Sequence, residues 1–124
     1  MIGAPNFKET EFYCPCGECE ITLPTLQLIR TLQAIRTDFA KPMTIKSGIR
    51  CEKHNEAIGG AKKSRHVPRY GGDAVDVACS DASDRYRLVG LAIRHGVKCI
   101  EISPLHLHFD MRAGPYMLIM GPDK

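Results

Sequence analysis

The chain has 124 residues, of which 44% are hydrophobic and 25% charged, the composition of a soluble globular protein. This length predicts one domain over residues 1–124, with enough sequence for a single hydrophobic core and little more. The net charge of +3 is too small to favour a nucleic-acid-binding protein.

The sequence also lacks the features of secreted and membrane proteins. Residues 1–8 contain no apolar run of signal-peptide length, and no segment approaches the length of a membrane span. We therefore expect a cytoplasmic, monomeric protein without a membrane partner. In that compartment the six cysteines are expected to be free thiols or metal ligands and not disulfides.

Three cysteines near the start of the chain have the spacing of a zinc knuckle: Cys14, Cys16 and Cys19. A closed structural zinc site needs four ligands, and no fourth lies nearby in the sequence. The remaining cysteines would have to supply it through the fold: Cys51, Cys79 or Cys99. A loop with free thiols is therefore the simpler interpretation of this segment.

A helix is predicted over Pro24–Phe39, where apolar residues recur at helical spacing and Thr22 or Thr25 can cap the start. Its buried face is expected to consist of five residues: Leu28, Ile29, Leu32, Ile35 and Phe39. Nothing in this helix indicates chemistry, so we assign it to the core.

Arg50 follows a short predicted strand, Met43–Lys46, and a glycine, so its side chain can reach from the edge of a sheet into a cleft. Its planar, permanently charged guanidinium suits a carboxylate or an oxyanion. The alternative is a surface arginine that pairs with a local acidic residue. A second helix, Cys51–Ile58, is predicted to end at Gly59-Gly60.

The stretch from Ala74 to Ala78 has the two-residue alternation of a strand. Val75 and Val77 face one side, and Asp76 faces the other between two alanines that leave room beside its carboxylate. The carboxylate is therefore placed to contact another group.

A third helix is predicted between a cap at Ser80 or Asp81 and its last residue, His95. Its buried face is expected to consist of four residues: Tyr86, Val89, Ala92 and Ile93.

The end of the sequence predicts a hairpin of strands Val97–Ile102 and Leu105–Arg112, and then a final strand or lid over Tyr116–Met120. Because helices alternate with strands that include this hairpin, the predicted fold class is α+β with a mainly antiparallel sheet.

The second strand of the hairpin has one polar and one apolar face. The polar face carries His106, His108, Asp110 and Arg112, and the apolar face carries Leu105, Leu107, Phe109 and Met111. Surface strands rarely carry paired histidines. A histidine from this strand, with His66 and Asp76 from other elements, makes a plausible three-ligand zinc site with an open fourth position.

Several blocks in one order carry a family resemblance: Ser47-Gly48-Ile49-Arg50-Cys51, His54-Asn55, Gly59-Gly60-Ala61, Ser64-x-His66, Gly72-x-Ala74-x-Asp76 and His108-x-Asp110. Over roughly residues 7–112 the chain resembles the zinc peptidases that cut peptidoglycan stem peptides. That family includes D-Ala-D-Ala carboxypeptidases and L-Ala-D-Glu endopeptidases, among them small phage endolysins, and has the hedgehog/DD-peptidase fold.

The resemblance implies zinc bound by His66, an aspartate and His108, with Arg50 facing the site to bind substrate or polarise its carbonyl. The chain departs from the family pattern by an apparent three-residue insertion, residues 68–70, after the first histidine. The ligand aspartate is then Asp76 by motif or Asp73 by spacing. We prefer Asp76, because Asp73 follows two glycines and has the character of a turn residue.

A second departure concerns the general base. Many members of the family carry an acidic residue three positions before the last histidine, where this chain has Leu105. His106 is then the first candidate for the base and Glu101 the second. Asp110 is expected to hold an imidazole in place.

The leading functional hypothesis is a zinc-dependent peptidase acting on peptidoglycan stem peptides, as a carboxypeptidase or an endopeptidase. Such a protein, possessing no signal peptide, would be released to the cell wall by another factor, as phage lysis proteins are. The alternative is a non-catalytic zinc-binding module on the same fold, such as a phage particle component. A nucleic-acid-binding knuckle is disfavoured by the low charge.

Overall fold

The computed structural model describes residues 3–121, which form one five-stranded sheet with helices packed against it. The strands are β1 (Thr44–Ser47), β2 (Ala74–Ala78), β3 (Cys99–Ile102), β4 (His106–Asp110) and β5 (Met117–Met120). The helices are α1 (Leu26–Phe39), α2 (Glu52–Ala57) and α3 (Ala82–Arg94), with 3-10 turns at Glu9–Phe12 and Pro68–Tyr70.

The strand order is β1-β2-β4-β3-β5, and every neighbouring pair is antiparallel except β3 and β5. The predicted α+β class with a mainly antiparallel sheet is therefore confirmed. The parallel pair arises because β5 returns along the outer side of β3 after β4 has already paired with β3 on its inner side.

Helix α1 begins later than predicted, because Thr25 has an extended backbone and its Oγ1 accepts the Leu28 N–H at 3.3 Å as an N-cap. All five residues of its predicted buried face are buried. No helix within residues 3–121 has the length and apolar character that a membrane span requires.

Strands β2 and β4 divide the molecule into a core side and a polar side. The core side carries fully buried apolar residues that pack with α1 and α3: Val75, Val77, Leu107 and Phe109. The polar side brings Asp76 next to His108, because these two residues are direct partners in the β2–β4 register. Glu101 of β3 is the partner of His108 on the other side.

The predicted buried face of α3 is wrong at two positions. Tyr86 is 85% exposed and Ile93 60% exposed, whereas Leu88 and Ala92 are buried. The buried residues of α3 belong to the same core cluster as those of α1, and the Arg87 guanidinium lies 5.0 Å from the ring of Phe39 at the end of α1. Helical spacing alone fits both stripes, and packing against α1 decides between them.

Candidate active site

A cleft of about 460 Å³ opens over the polar side of β2 and β4. All the residues predicted to have catalytic or metal-binding roles line it: Arg50, His66, Asp76, Glu101, His106 and His108. Three of them are nearly inaccessible, since His66 is 2%, Asp76 5% and His108 8% exposed. The fold thus collects residues that are up to 58 positions apart in the sequence around one buried carboxylate.

The two buried histidines meet the same oxygen of Asp76. His66 Nε2 lies 3.2 Å from Asp76 Oδ1, and His108 Nδ1 lies 3.0 Å from it. A tetrahedral zinc ion with bonds of about 2.0–2.1 Å holds neighbouring ligand atoms about 3.3 Å apart. Both histidine–carboxylate distances are close to this spacing, and the three ligand atoms all lie within 4.8 Å of one another, so they form a group able to hold a metal.

In each imidazole one ring nitrogen, the inner one, faces Asp76, and the other, the outer one, has a second partner that fixes this orientation. His66 Nδ1 lies 2.7 Å from the carbonyl oxygen of Gly48, and His108 Nε2 lies 2.7 Å from Asp110 Oδ2. Since a carbonyl and a carboxylate only accept, both outer nitrogens carry the proton. The inner nitrogens are then free to act as ligands once the imidazoles are neutral, as zinc binding requires.

The pKa shifts of Asp76 and His108 indicate that the surroundings of the Asp76 carboxylate favour positive charge. Burial raises the pKa of Asp76, but hydrogen bonds with His108 and His66 outweigh it and hold that pKa far below its usual range. Burial lowers the pKa of His108, but hydrogen bonds with Asp110 and Asp76 outweigh it and raise the value to about 9. The same ionised carboxylates that keep a proton on His108 also suit a divalent cation, so the donor set fits zinc.

Asp110 and Arg112 support His108 from behind. Asp110 is fully buried and accepts two hydrogen bonds from the Arg112 guanidinium. Nε donates to Oδ1 at 2.8 Å and Nη2 donates to Oδ2 at 2.6 Å. Burial raises the pKa of Asp110, but these hydrogen bonds and the one from His108 lower it well below its usual range. Asp110 orients the His108 ring through this hydrogen bond, the role that the sequence analysis expected for it.

Arg50 is tied to the same centre through three hydrogen bonds. Its Nη2 donates to Asp76 Oδ2 at 3.2 Å, its Nε to Ser47 Oγ at 3.0 Å and its Nη1 to Asn55 Oδ1 at 3.3 Å. A guanidinium has five N–H groups. Contacts with the described residues use three of them, so two remain for another acceptor. The side chain is 15% exposed and borders the cleft, so it is not the surface arginine of the alternative interpretation.

Asn55 is a contributor to which the sequence analysis assigned no role. It is 5% exposed, its Nδ2 donates to the carbonyl of Ala61 at 2.8 Å, and its Oδ1 accepts from Arg50. Gly60 makes room for it, because a Cβ there would lie 2.0 Å from Asn55 Oδ1. The Gly59-Gly60 pair was the available signal, since a glycine often marks a close approach.

The comparison with protein families agrees with this geometry. The family model of peptidase M15 matches residues 5–107. The chain belongs to the peptidase M15 family. Its members are zinc-dependent, and the α+β fold seen here fits the expected hedgehog/DD-peptidase-like architecture. The matched range stops one residue before His108, which the β2–β4 register brings to Asp76. No curated protein matches the chain.

In this M15 peptidase, Asp76 and not Asp73 lies beside the histidines. Residues 68–70 form a 3-10 turn, and the loop is closed by a hydrogen bond from the Asp73 N–H to the Arg65 carbonyl at 3.1 Å. The Asp73 carboxylate pairs with the Arg65 guanidinium, with Nε at 3.0 Å from Oδ1. Asp73 therefore has a partner outside the metal-binding group.

The two candidate bases of the M15 peptidase approach different members of the buried group. His106 Nε2 is 4.0 Å from Asp76 Oδ2, and Glu101 Oε2 is 3.7 Å from His108 Nε2. Burial lowers the pKa of the His106 imidazole below its usual range. Its Nδ1 has no hydrogen-bond partner among the described residues.

The prediction that Leu105 lies on the apolar face of a strand is wrong. Strand β4 begins at His106, and Leu105 precedes it with 63% of its surface exposed. A tight turn brings the Ser103 N–H to the His106 carbonyl at 3.1 Å, so strand alternation does not extend to Leu105. Leu105 is also not among the residues that border the cleft.

Proposed function

We propose that this M15 peptidase hydrolyses peptide bonds in peptidoglycan stem peptides, as a D-Ala-D-Ala carboxypeptidase or an L-Ala-D-Glu endopeptidase. The observation that carries the proposal is the meeting of His66 Nε2 and His108 Nδ1 at Asp76 Oδ1 inside the cleft. A three-ligand set of two histidines and a carboxylate is typical of catalytic zinc, which keeps a position open.

In this proposal the metal is held by His66, Asp76 and His108. Bound zinc supplies Lewis acidity, which polarises a carbonyl and makes water more acidic. The chain supplies the orientation, because Gly48 and Asp110 fix the two imidazole rings and Arg50 fixes the second oxygen of the Asp76 carboxylate.

Arg50 is proposed to bind the substrate. Its two remaining N–H groups lie at the cleft, where they can donate to the scissile carbonyl oxygen or to a carboxylate of the stem peptide. Asn55 and Ser47 hold the guanidinium plane, so little side-chain freedom is lost when substrate binds.

His106 is the proposed general base. It takes a proton from the attacking water and returns it to the leaving nitrogen, so that the C–N bond is replaced by a carboxylate and an amine. The distance of 4.0 Å between its Nε2 and Asp76 Oδ2 supports this role. Glu101 is the second candidate, since it borders the same cleft from β3.

A non-catalytic zinc-binding module is the second candidate function. The observation that favours it is Leu105, which stands where many of the resembled peptidases carry an acid and lies outside the cleft. In either case we propose an endolysin-like or phage-particle protein that is monomeric and reaches the cell wall after release.

Digestion of defined substrates tests the proposal. Zinc-loaded protein is incubated with purified peptidoglycan and with peptides that contain either an L-Ala-D-Glu bond or a D-Ala-D-Ala terminus, and the products are identified by mass spectrometry. We expect cleavage at one bond type that is lost in His66→Ala. Zinc-loaded protein that cleaves none of these substrates would overturn the peptidase proposal and leave the binding module.

A further inference from the structure

A second group of metal-binding side chains lies near the beginning of the chain. It consists of four cysteines, hereafter the cysteine cluster: Cys14, Cys16, Cys19 and Cys51. Their Sγ atoms all lie within 4.8 Å of one another, although Cys51 is 32 positions beyond Cys19 in the sequence. The other two cysteines, Cys79 and Cys99, are not part of the cluster.

The spacing of the sulfur atoms matches a metal site. Cys16 Sγ and Cys51 Sγ are 3.8 Å apart, almost twice the roughly 2.05 Å of a disulfide bond. Zinc bonded to four thiolates at about 2.3 Å holds neighbouring sulfur atoms about 3.8 Å apart. The Cys16–Cys51 pair therefore has the separation of two ligands of one tetrahedral ion, and all four Sγ atoms lie within 4.8 Å of one another.

Backbone N–H groups are directed at these sulfur atoms. The Cys51 N–H donates to Cys14 Sγ at 3.3 Å, the His54 N–H to Cys51 Sγ at 3.3 Å and the Glu18 N–H to Cys16 Sγ at 3.5 Å. Such donors stabilise thiolates, the form in which cysteine binds metal. The turn that directs the Glu18 N–H inward needs a left-handed residue, and Gly17 provides it with φ of +71°.

We propose that the cysteine cluster binds a second, structural zinc ion that is separate from the active site. Four protein ligands close the coordination sphere, so this ion has no open position for catalysis. Thiolates are soft ligands and select zinc over magnesium or calcium. The sequence analysis preferred a free-thiol loop because a fourth ligand was missing, and the fold supplies that ligand as Cys51.

The cysteine cluster links two segments of the chain that are distant in the sequence. It joins the segment after the first 3-10 turn to the residue that directly follows Arg50, and Pro15 within the same segment borders the cleft. The adjacent backbone is joined as well, through the hydrogen bond from the Ile49 N–H to the Phe12 carbonyl at 2.9 Å. The second ion would therefore cross-link the N-terminal segment to the loop that carries Arg50.

Metal stoichiometry tests the proposal directly. Each protein is purified under reducing conditions, reconstituted with zinc, freed of excess metal and analysed for bound ion. Wild type is expected to hold two zinc ions per chain, one for each ligand group. His66→Ala and Cys19→Ser are each expected to lose one. The matched control Cys79→Ser, a cysteine outside the cluster, is expected to keep both.

Cobalt substitution identifies the ligands without depending on a cysteine variant that folds. The full chain carrying His66→Ala, with every cysteine intact, is loaded with cobalt(II). We expect the intense near-ultraviolet absorption of thiolate-to-cobalt charge transfer, and we expect its loss in the double variant with Cys19→Ser. This readout requires no peptidase activity, so the structural site and the proposed function can fail independently.

Either of two metal-binding results would overturn the proposal. One is wild-type protein that binds a single zinc ion and keeps it in Cys19→Ser. The other is a cobalt-loaded His66→Ala variant with no charge-transfer absorption. If alkylation of the native chain without reductant shows disulfides among the cluster cysteines, the proposal is likewise wrong.

Discussion

The Nδ1 atom of His66 donates a hydrogen bond to the carbonyl oxygen of Gly48 at 2.7 Å. This contact joins the Ser47-Gly48-Ile49-Arg50 block to the first histidine of the metal-binding group. It is possible because Gly48 lies against the first 3-10 turn, where a Cβ would be 2.7 Å from the Phe12 carbonyl oxygen. Close packing against Phe12 therefore requires a glycine at position 48, independently of the chemistry of the neighbouring residues.

Gly48→Ala is predicted to weaken both the fold and the metal site. The new methyl group meets backbone atoms that cannot rotate away, and overpacking of this kind costs about 1–3 kcal/mol of unfolding free energy. Zinc affinity should fall as well, because the displaced carbonyl no longer orients His66. Urea denaturation and zinc competition measure the two effects.

The matched control is Gly90→Ala in α3, where a Cβ meets nothing within 4 Å. It should raise stability by about 0.5–1 kcal/mol, because alanine is favoured over glycine in a helix. A Gly48→Ala protein that is as stable as wild type would contradict the packing argument.

Removal of a ligand carboxylate should separate Asp76 from Asp73. Asp76→Asn is predicted to lose the active-site zinc, because an amide oxygen carries no charge to offset the ion. Asp73→Asn is predicted to keep that zinc and to lose about 2 kcal/mol of stability from its charged hydrogen bonds with Arg65. Metal analysis and thermal unfolding of both variants give the answer, and zinc loss from Asp73→Asn alone would reverse the assignment.

The strand alternation of the sequence was sufficient to predict much of the site. Val75 and Val77 identified the core side of β2, and that parity placed Asp76 on the side where the antiparallel register brings it to His108. Alternation is reliable here because a slip of one residue would bury the carboxylate in the core.

Contacts between elements that are distant in the sequence were not predictable in the same way. No local pattern indicates that Cys51 approaches the first three cysteines, or that Asn55 accepts a hydrogen bond from Arg50. The exposed position of Leu105 likewise depends on a turn whose hydrogen bond joins Ser103 to His106. Such features are decided by tertiary packing and by turn geometry, to which residue periodicity is insensitive.

Arg50→Lys is predicted to preserve zinc and fold while lowering kcat by about 10²–10³-fold, as expected when a donor to a developing oxyanion is lost. Lysine keeps the charge but cannot donate to Asp76, Asn55 and a substrate oxygen from one rigid plane. The control is Arg69→Lys, an exposed arginine that pairs with Glu52 away from the cleft. Unchanged turnover in Arg50→Lys would show that Arg50 only supports Asp76.

The last prediction distinguishes the two candidate bases. His106→Ala should keep the active-site zinc, because His106 is not one of the three clustered ligands, and should lose about 10²–10⁴-fold in kcat as expected for a general base. Glu101→Gln keeps the shape of its side chain and should have a smaller effect, since its carboxylate approaches the outer nitrogen of His108 and not Asp76. His95→Ala, outside the cleft, serves as the histidine control. Rates of stem-peptide hydrolysis, measured together with metal content, decide between His106 and Glu101. Full activity in His106→Ala, together with loss of activity in Glu101→Gln, would assign the role of the base to Glu101.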